Sequence, residues 1–432
     1  MIRRPLAILL PVLLLSLSLP AQESRSQDTA ARRRTARTLA RQGPDAIPQL
    51  VPLVSDPDLE VRIEAVKALV EIGTQASLDP LTNAARDNDP EIQIRATDGL
   101  VNFYLPGYVR TGLSASLRRA GTKLTARFTE SNDQVVDPYV EVRPQIIEAL
   151  GRLARGGSTM ESRANAARAV GILRGKAAIP DLLVALGSRD SQLMYECLVA
   201  FQKIRDQSVG ARIVTFVRDL DKRVQMAAIE ATGLLYNLDA LPDLRDVLKR
   251  TEDKVVRRAA LTAIAMLPDP GSRSLLLTYL RDRDAPIREA AAEGLGRLKD
   301  PADLQPLEQA FEEERNGSAR VSLAFALVMH GKLEMSEFSP LRYLVNTLNS
   351  AARSGEAQPL LIEAARDPAV MKALQPALRA GTKDEKIGLS WVMARSGGPE
   401  EVPLLETLTR DPDADVASEA LRALRTLKAR TN

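Results

Sequence analysis

The sequence predicts an all-α fold, a right-handed α-solenoid of about ten to twelve helical hairpins with one insertion. Two observations carry this prediction. One helix pattern recurs at a nearly constant interval, and the 432-residue chain is too long for one compact core, yet lacks a Ser/Gly-rich linker that would divide it. A hairpin cannot bury its apolar stripe alone, whereas stacked neighbours bury it for one another.

Residues 1–21 have the three-part pattern of a secretory signal peptide. Two arginines precede an apolar stretch that ends at Leu19, and Ala21 is a small residue suited to cleavage. The stretch is shorter than the roughly 20 residues of a membrane-spanning helix and contains Pro11, so a retained anchor is the weaker alternative. We expect cleavage after Ala21 and an exported chain, periplasmic or extracellular, which meets a membrane only through an uncleaved leader.

A basic cluster follows on a predicted helix from about Thr29 to Ala40. Its members are Arg32, Arg33, Arg34, Arg37 and Arg41. A polar-faced terminal helix covers the first apolar edge of a solenoid, so capping is favoured over a docking arm.

One amphipathic helix then recurs along the chain. Its reference positions, at intervals of 32, 30, 32, 31 and 32 residues, are Arg163, Tyr195, Gln225, Arg257, Arg288 and Arg320. Small or apolar residues follow at three, six, seven and ten positions, as in Ala260, Ala263, Ile264 and Leu267 after Arg257. This spacing forms one stripe of a helix, with small residues where a second helix must approach closely.

A shorter helix precedes the recurring one, and Pro stands near its start, where a first-turn amide has no partner inside the helix. Examples are Ile47-Pro48, Ile179-Pro180, Leu241-Pro242 and Val402-Pro403. Asp-Pro dipeptides recur between elements, and we interpret their aspartates as helix starts rather than acid–base catalysts. These aspartates are Asp56, Asp79, Asp89, Asp137, Asp269, Asp300, Asp367 and Asp411.

Hairpins with a period near 32 residues and an apolar-Arg pair at the head of the second helix resemble the HEAT-repeat (armadillo-like) family. The pairs are Val61-Arg62, Ile94-Arg95, Val142-Arg143, Val256-Arg257 and Ile287-Arg288. The resemblance covers most of residues 44–428. It implies a curved solenoid whose faces bind other macromolecules.

We interpret the arginine column as structural rather than as a binding stripe. Four of its members have an acid four residues earlier, which predicts pairing on one helix face. These pairs are Asp58 with Arg62, Glu91 with Arg95, Asp253 with Arg257 and Asp284 with Arg288. The HEAT resemblance also implies an Asp/Arg ladder between adjacent repeats.

The interval from Arg95 to Arg143 is 48 residues, so about sixteen are extra. This insertion combines aromatic residues with arginines, the types that dominate binding hot spots, and its positive charge suits an anionic partner. The candidate partner-binding residues are Tyr104, Tyr108, Arg110, Arg118, Arg119, Lys123, Arg127 and Phe128. The alternative is that the segment only packs on neighbouring repeats.

Composition excludes the usual His- or Cys-based sites. The chain has one His and one Cys, whereas such metal sites need three or four ligands and a Ser or Cys nucleophile needs an adjacent His. We therefore assign no catalytic, cofactor or metal residue. His330 is expected at a helix end, Cys197 and Trp391 in the core, and residues 155–158 in a turn between two long helices.

The predicted plan has five segments: the signal peptide 1–21, a capping helix and linker 22–43, repeats 44–104, the insertion 105–137, and repeats with a C-terminal cap 138–432. The leading function is an exported, non-enzymatic scaffold that binds a protein partner through its groove and residues 105–136. The alternatives are a HEAT-like lyase or other enzyme-like unit, and a binder of an anionic envelope polymer or carbohydrate. Nucleic acid is disfavoured because 59 basic residues nearly balance 56 acidic ones. Oligomeric state stays open.

Overall fold

The fold is the predicted all-α solenoid. The computed structural model describes residues 19–108, 134–137 and 139–431, and within them there are α-helices and short 3-10 turns but no β-strand. Most of the predicted leader and of the insertion therefore lies outside the described residues. None of the described helices combines the length and apolarity required to cross a bilayer.

The described residues form two compact units. The first contains residues 19–108 and 144–169. Its helices are α1 (Leu19–Ala40), α2 (Ile47–Leu50), α3 (Leu59–Ile72), α4 (Leu78–Ala84), α5 (Pro90–Tyr104) and α6 (Pro144–Gly156). The next helix, α7 (Met160–Ile172), contains the boundary between the units. The short link from α6 to α7, residues 157–159, overlaps the turn predicted at residues 155–158, although Arg155 and Gly156 still belong to α6.

The second unit contains residues 134–137, 139–143 and 170–431. Its helices after α7 are α8 (Ile179–Leu186), α9 (Ser191–Ile204), α10 (Gly210–Ile213), α11 (Lys222–Leu234), α12 (Leu241–Arg250), α13 (Lys254–Ala265), α14 (Arg273–Tyr279), α15 (Ala285–Leu298), α16 (Leu304–Glu313), α17 (Gly317–Met329), α18 (Pro340–Thr347), α19 (Ser354–Ala364), α20 (Pro368–Ala380), α21 (Lys383–Ser396), α22 (Val402–Leu408) and α23 (Ala414–Thr431).

After α1, every even-numbered helix is the first of a hairpin and every odd-numbered helix is the second. The described residues hold eleven such hairpins, which agrees with the predicted number. The four Pro-led helices begin at Ile47, Ile179, Leu241 and Val402, as the sequence predicts.

Consecutive second helices approach closely through small residues. A Cβ built on Gly171 would lie 2.7 Å from Ala200 Cα, and one on Gly296 would lie 2.7 Å from Ala326 Cα. Real Cβ atoms do not approach so closely, so glycine is required at both positions. The small-residue stripe of the sequence thus sets the separation of neighbouring hairpins.

The Asp-Pro prediction is right at some positions and wrong at others. Asp89, Asp300 and Asp367 accept first-turn amides and cap the following helix. Asp79 instead lies inside α4, and Asp137 precedes no helix. At Asp56-Pro57 and Asp411-Pro412 one further residue stands between the dipeptide and the helix. That residue, Asp58 or Asp413, is the one that caps the helix.

The arginine column is structural, but three of its four predicted partners are wrong. Arg95 does pair with Glu91 in its own helix. In contrast, Arg62 Nε donates to Asp87 Oδ2 at 2.8 Å, one repeat further along the chain. Asp58 instead uses its Oδ1 atom to accept the first-turn amides of α3.

The same register recurs in the second unit. Arg288 donates to both carboxylate oxygens of Glu314 at 2.7 and 2.9 Å, instead of pairing with Asp284. Arg257 pairs with Asp282 at 3.3 Å instead of with Asp253. Ion pairs of this register therefore connect several consecutive hairpins, as the HEAT resemblance implied.

Helix α1 packs against the first hairpin, and its capping role stays a prediction. Arg37 donates to Glu64 of α3 at 2.8 Å, and Ala36 and Leu39 of α1 are buried. Burial alone would raise the pKa of Glu64, but Arg37 and Lys67 outweigh it and lower the pKa to about 2. Three members of the basic cluster, Arg32, Arg33 and Arg37, thus pair with acids of the first hairpin.

We expect Arg288→Met to lower the free energy of unfolding by about 1–3 kcal/mol, because it leaves the shielded Glu314 carboxylate without its partner. Urea unfolding followed by circular dichroism measures this loss. Arg281→Met, at an exposed position in the same unit, should change stability by less than about 0.5 kcal/mol. Equal losses for the two variants would show that the ladder adds no stability.

Candidate functional site

The structure places only two of the predicted partner-binding residues. Tyr104 ends α5 half-buried, with its ring edge-to-face on Phe103 at a centroid distance of 5.0 Å, and Tyr108 follows it half-buried. The others lie outside the described residues, and they are Arg110, Arg118, Arg119, Lys123, Arg127 and Phe128. Their role in binding stays a prediction.

The residues that end the insertion belong to the second unit. The Val136 amide donates to the Ile172 carbonyl at 3.0 Å, and the Val136 side chain is buried. Arg422 Nη2 donates to the two Asp137 carboxylate oxygens at 3.2 and 3.1 Å, and the Tyr139 hydroxyl donates to Asp137 at 3.0 Å. A non-helical stretch is thus held by one main-chain hydrogen bond and one carboxylate.

Several second helices end in a left-handed residue that is not glycine. Gly73 and Gly331 occupy this conformation at two helix ends, as is usual. In the second unit it is adopted by Arg174, Arg205, Tyr236 and Lys299, with φ of 52°, 61°, 53° and 53°. A side chain in this conformation costs roughly 1 kcal/mol relative to glycine, and such strain clusters at functional sites.

The helix ends at Arg174 and Arg205 lie near Arg395, which belongs to the last turn of α21, and near Arg366, which follows α19. Burial, followed by the positive charges of Arg395 and Arg205, lowers the pKa of Arg174, and Asp137 opposes them. Desolvation and the nearby Arg366 outweigh Tyr236 and lower the pKa of Arg205. Several positively charged side chains therefore lie near one another at the ends of α7 and α9.

We call this region the arginine cleft and define it by Arg174, Arg205, Arg366 and Arg395. Among the described residues, no carboxylate lies within ion-pairing distance of these four guanidinium groups. The Nε atom of Arg174 is buried without a hydrogen-bond partner. The cleft thus offers several unused donors in a fork geometry that suits carboxylates and phosphates.

Trp391 lies beside the cleft and not in the core, where the sequence predicted it. It is only partly buried, and the guanidinium carbons of Arg395 and Arg422 lie 5.7 and 5.0 Å from its ring centroid. Leu389 is fully buried. Two residues along a helix correspond to about 200° of rotation, so Trp391 faces away from the side that Leu389 buries.

A pocket of about 480 Å³ lies at the other end of the cleft. Its lining includes Tyr236, Met266, Lys299 and Arg366. At its wall, Arg297 donates to both oxygens of Glu363 at 2.7 and 2.8 Å, so this end is closed by an internal ion pair.

Behind this ion pair lies a group of carboxylates between α15 and α19. Burial raises the pKa of Glu293, although Arg297 and Ser322 oppose it. Burial also raises the pKa of Glu289 to about 7, with further contributions from the charges of Glu356 and Glu293. In the folded unit, Glu289 therefore keeps its proton up to a pH of about 7, where an exposed glutamate would be ionised.

Other residues selected from the sequence have structural positions. His330 closes α17, and Cys197 is fully buried, as predicted. In the part of the chain that the structure describes, no three His, Cys, Asp or Glu residues are arranged to hold a metal ion. The cleft itself was missed, although the 31-residue spacing of Arg174, Arg205 and Tyr236 was visible in the sequence.

Comparison with known families agrees with the hairpin geometry. A model of HEAT repeats matches residues 19–101, 180–265 and 241–328, which together make up more than half of the chain. The chain is a HEAT-repeat protein. A second model, the PBS lyase HEAT-like repeat, matches residues 162–188 of this HEAT-repeat protein. No curated protein matches its sequence.

Three solved structures resemble the HEAT-repeat protein at low identity. The complex of CpcE and CpcF of phycocyanin lyase from Nostoc sp. PCC7120 is 18% identical, with 69% of this chain and 92% of that chain covered and a TM-score of 0.32. YibA of Escherichia coli is 13% identical, with 68% and 95% covered and a TM-score of 0.41. A β-catenin structure from work on its interaction with cadherin is 15% identical, with 92% and 96% covered and a TM-score of 0.40. Such low scores support no conclusion about binding.

We expect Arg205→Gly to be more stable than Arg205→Ala by about 1 kcal/mol, because only glycine avoids the strain of the left-handed conformation. Thermal and urea unfolding of both variants measure the difference. At Lys372, inside α20, the order should reverse, since glycine weakens a helix interior by about 1 kcal/mol relative to alanine. The same order at both positions would contradict the assigned helix end.

The raised pKa of Glu289 makes stability depend on pH. The folded state holds the proton more tightly than the unfolded chain, so this stabilisation is complete below pH 4.5 and is lost as the pH rises through about 7. Glu289→Gln should therefore stabilise the protein at pH 8 and have little effect at pH 4.5. Solvent screening keeps the gain below about 3 kcal/mol. Urea unfolding at both pH values tests this, and equal effects would contradict it.

Proposed function

We propose that this HEAT-repeat protein is an exported, non-enzymatic scaffold that binds a protein partner at the arginine cleft. One observation carries the proposal: four arginines lie near one another there, none of them in an ion pair among the described residues, and two of them occupy left-handed helix ends. Left-handed residues other than glycine cluster at functional sites, which supports a binding role for these helix ends.

The residue types support recognition of a protein. HEAT repeats form scaffolds for protein interaction, and Arg, Trp and Tyr are the residues most enriched in binding hot spots. The cleft combines its arginines with Trp391, Tyr236 and the methionine-lined pocket. Guanidinium groups stay protonated and cannot exchange protons as catalysts do, which favours binding over catalysis.

The insertion supports the same location. Its last described residues, 134–136, lie in the second unit, where Asp137 meets Arg422 next to Trp391. Phe128 and Arg127 precede Val136 by only eight and nine residues in the chain. We propose that residues 105–136 add contacts to a partner held in the cleft.

The leader predicted from residues 1–21 places the partner outside the cytosol, which is the basis for proposing export. Fractionation of the source cells should recover a chain that begins after Ala21 from the periplasm or the medium. Recovery of the full-length chain from the cytosol would contradict export without affecting the cleft.

We expect a photoreactive benzoylphenylalanine in place of Tyr236 to cross-link a protein partner in the native compartment. The same probe in place of Val184, which is exposed on α8, should not. Mass spectrometry identifies the adduct. Adding Arg366→Gln should reduce it, because that variant removes a cleft guanidinium and leaves the fold's own ion pairs intact. Equal cross-linking at both positions, or no effect of Arg366→Gln, would contradict binding at the cleft.

A further inference from the structure

The pocket beside Tyr236 is built by the carboxyl ends of four second helices. Tyr236, Met266, Lys299 and Met329 stand at or just after the ends of α11, α13, α15 and α17, and residues at the turn from α19 to α20 complete the lining. Its volume of about 480 Å³ lies within the range of roughly 300–1,000 Å³ that is typical of ligand pockets. The pocket therefore has room for a large side chain of a partner.

The apolar part of the lining suits an aromatic side chain. Met266 and Met329 contribute two thioethers, and Pro268 and Pro368 add further apolar surface. Methionine side chains adapt their shape to a ligand, and their sulfur atoms make favourable contacts with aromatic rings. Both methionines are partly exposed, and 42% of the surface of Tyr236 is exposed, so an entering ring would bury apolar area that now faces water.

The charged part of the lining calls for a carboxylate. The two acids of the lining are engaged within the protein: Glu363 accepts from Arg297 at 2.7 and 2.8 Å, and the side chain of Asp367 caps α20. Lys299 and Arg366 are both exposed, and neither forms an ion pair among the described residues. The pocket thus has two cations whose charge is available to an acid of the ligand.

The second unit already holds an apolar residue followed by an acid against the end of another second helix. Val136 is 3% exposed, and its amide donates to the Ile172 carbonyl in the last turn of α7 at 3.0 Å. The next residue, Asp137, accepts from Arg422 at 3.1 and 3.2 Å. Apolar burial and a charged hydrogen bond therefore come from adjacent residues. The pocket offers the same two kinds of contact at the ends of later second helices.

We infer that the pocket binds an aromatic residue of the partner protein, with an adjacent Asp or Glu of the partner facing Lys299 and Arg366. This inference rests on the proposed function and specifies what the partner presents. A purely acidic segment would leave the apolar lining exposed to water, and a purely apolar one would leave both cations without a counter-charge.

The test observes the pocket methionines directly. The full chain is labelled with methyl-¹³C methionine, and the variants Met266→Leu and Met329→Leu assign the two pocket signals. We expect the peptide Gly-Ser-Phe-Asp-Ser-Gly to shift both signals and to leave that of Met160, which is exposed at the start of α7, unchanged. Replacing Phe by Ala in the peptide should weaken binding about tenfold or more, because a large apolar side chain is no longer buried.

The carboxylate is tested by pairing protein and peptide variants. Arg366→Gln should weaken binding of the Phe-Asp peptide about tenfold, the effect of one lost charged hydrogen bond, and should leave binding of a Phe-Asn peptide unchanged. Lys299→Gln should show the same pattern and provides a second measurement. Arg410→Gln is the matched control, since Arg410 is an exposed arginine in the turn after a first helix and does not line the pocket. Circular dichroism verifies that each variant is folded.

Equal binding of the Phe-Asp, Ala-Asp and Phe-Asn peptides would overturn the inference, as would equal weakening by Arg410→Gln. So would 3-phenylpropionate shifting the pocket methionines as strongly as the peptide at the same concentration, because the site would then take a small acid. If the peptide leaves both signals unchanged while the probe at Tyr236 still cross-links a partner, the aromatic–acid ligand is wrong and the scaffold function stands. Failure of both experiments would reject the function itself.

Discussion

The close approach of consecutive second helices is the constraint on which the rest of the second unit depends. Gly171, Gly233 and Gly296 allow it, and each stands three residues before a left-handed helix end. The closest contact is therefore near the carboxyl ends of the helices, which brings those ends together. A larger residue at Gly171 would separate α7 from α9, and the positions of Arg174 and Arg205 would change with it. Packing of the apolar stripe and formation of the cleft are consequences of one geometric requirement.

The two ends of the second helices differ in how charge is balanced. At the amino ends, a carboxylate of the next hairpin neutralises Arg62, Arg257 and Arg288, as Glu314 does for Arg288. At the carboxyl ends, Arg174 and Arg205 have no ion pair among the described residues. The helix dipole, the Leu234 carbonyl that accepts from Arg205 at 3.4 Å, and the charge of Asp137 near Arg174 are the compensation there. That dipole contributes about 0.3–1 kcal/mol per cation, comparable with the strain of one left-handed arginine. The arrangement is tolerable for folding, but it leaves the charges available to a ligand.

The fold could be predicted from the sequence because its information is local and repeated. The apolar stripe, the proline-led first helices and the turn predicted at residues 155–158 are each encoded by residues of a single hairpin. The ladder was harder, because Asp58 lies closer in sequence to Arg62 than Asp87 does, and only the capping bonds of Asp58 show that it is engaged elsewhere. The cleft could not be predicted, since Arg174 and Arg395 come from hairpins far apart along the chain and their approach depends on the accumulated packing of the hairpins between them. Most of the predicted insertion site lies outside the described residues and stays a prediction.

At each end of the cleft an arginine is already paired with an acid of the protein itself. Among these arginines, a partner can therefore form ion pairs only with those between the two ends. Asp137 occupies Arg422 at one end, and Glu363 occupies Arg297 at the other. The cleft arginines between them form no ion pair among the described residues, and two charged hydrogen bonds contribute only about 3–6 kcal/mol before the cost of ordering a flexible segment. Charge alone therefore gives weak, salt-sensitive attachment. Stable binding requires apolar contacts as well, and Trp391 with the pocket beside Tyr236 lie where a segment crossing the arginines would meet them.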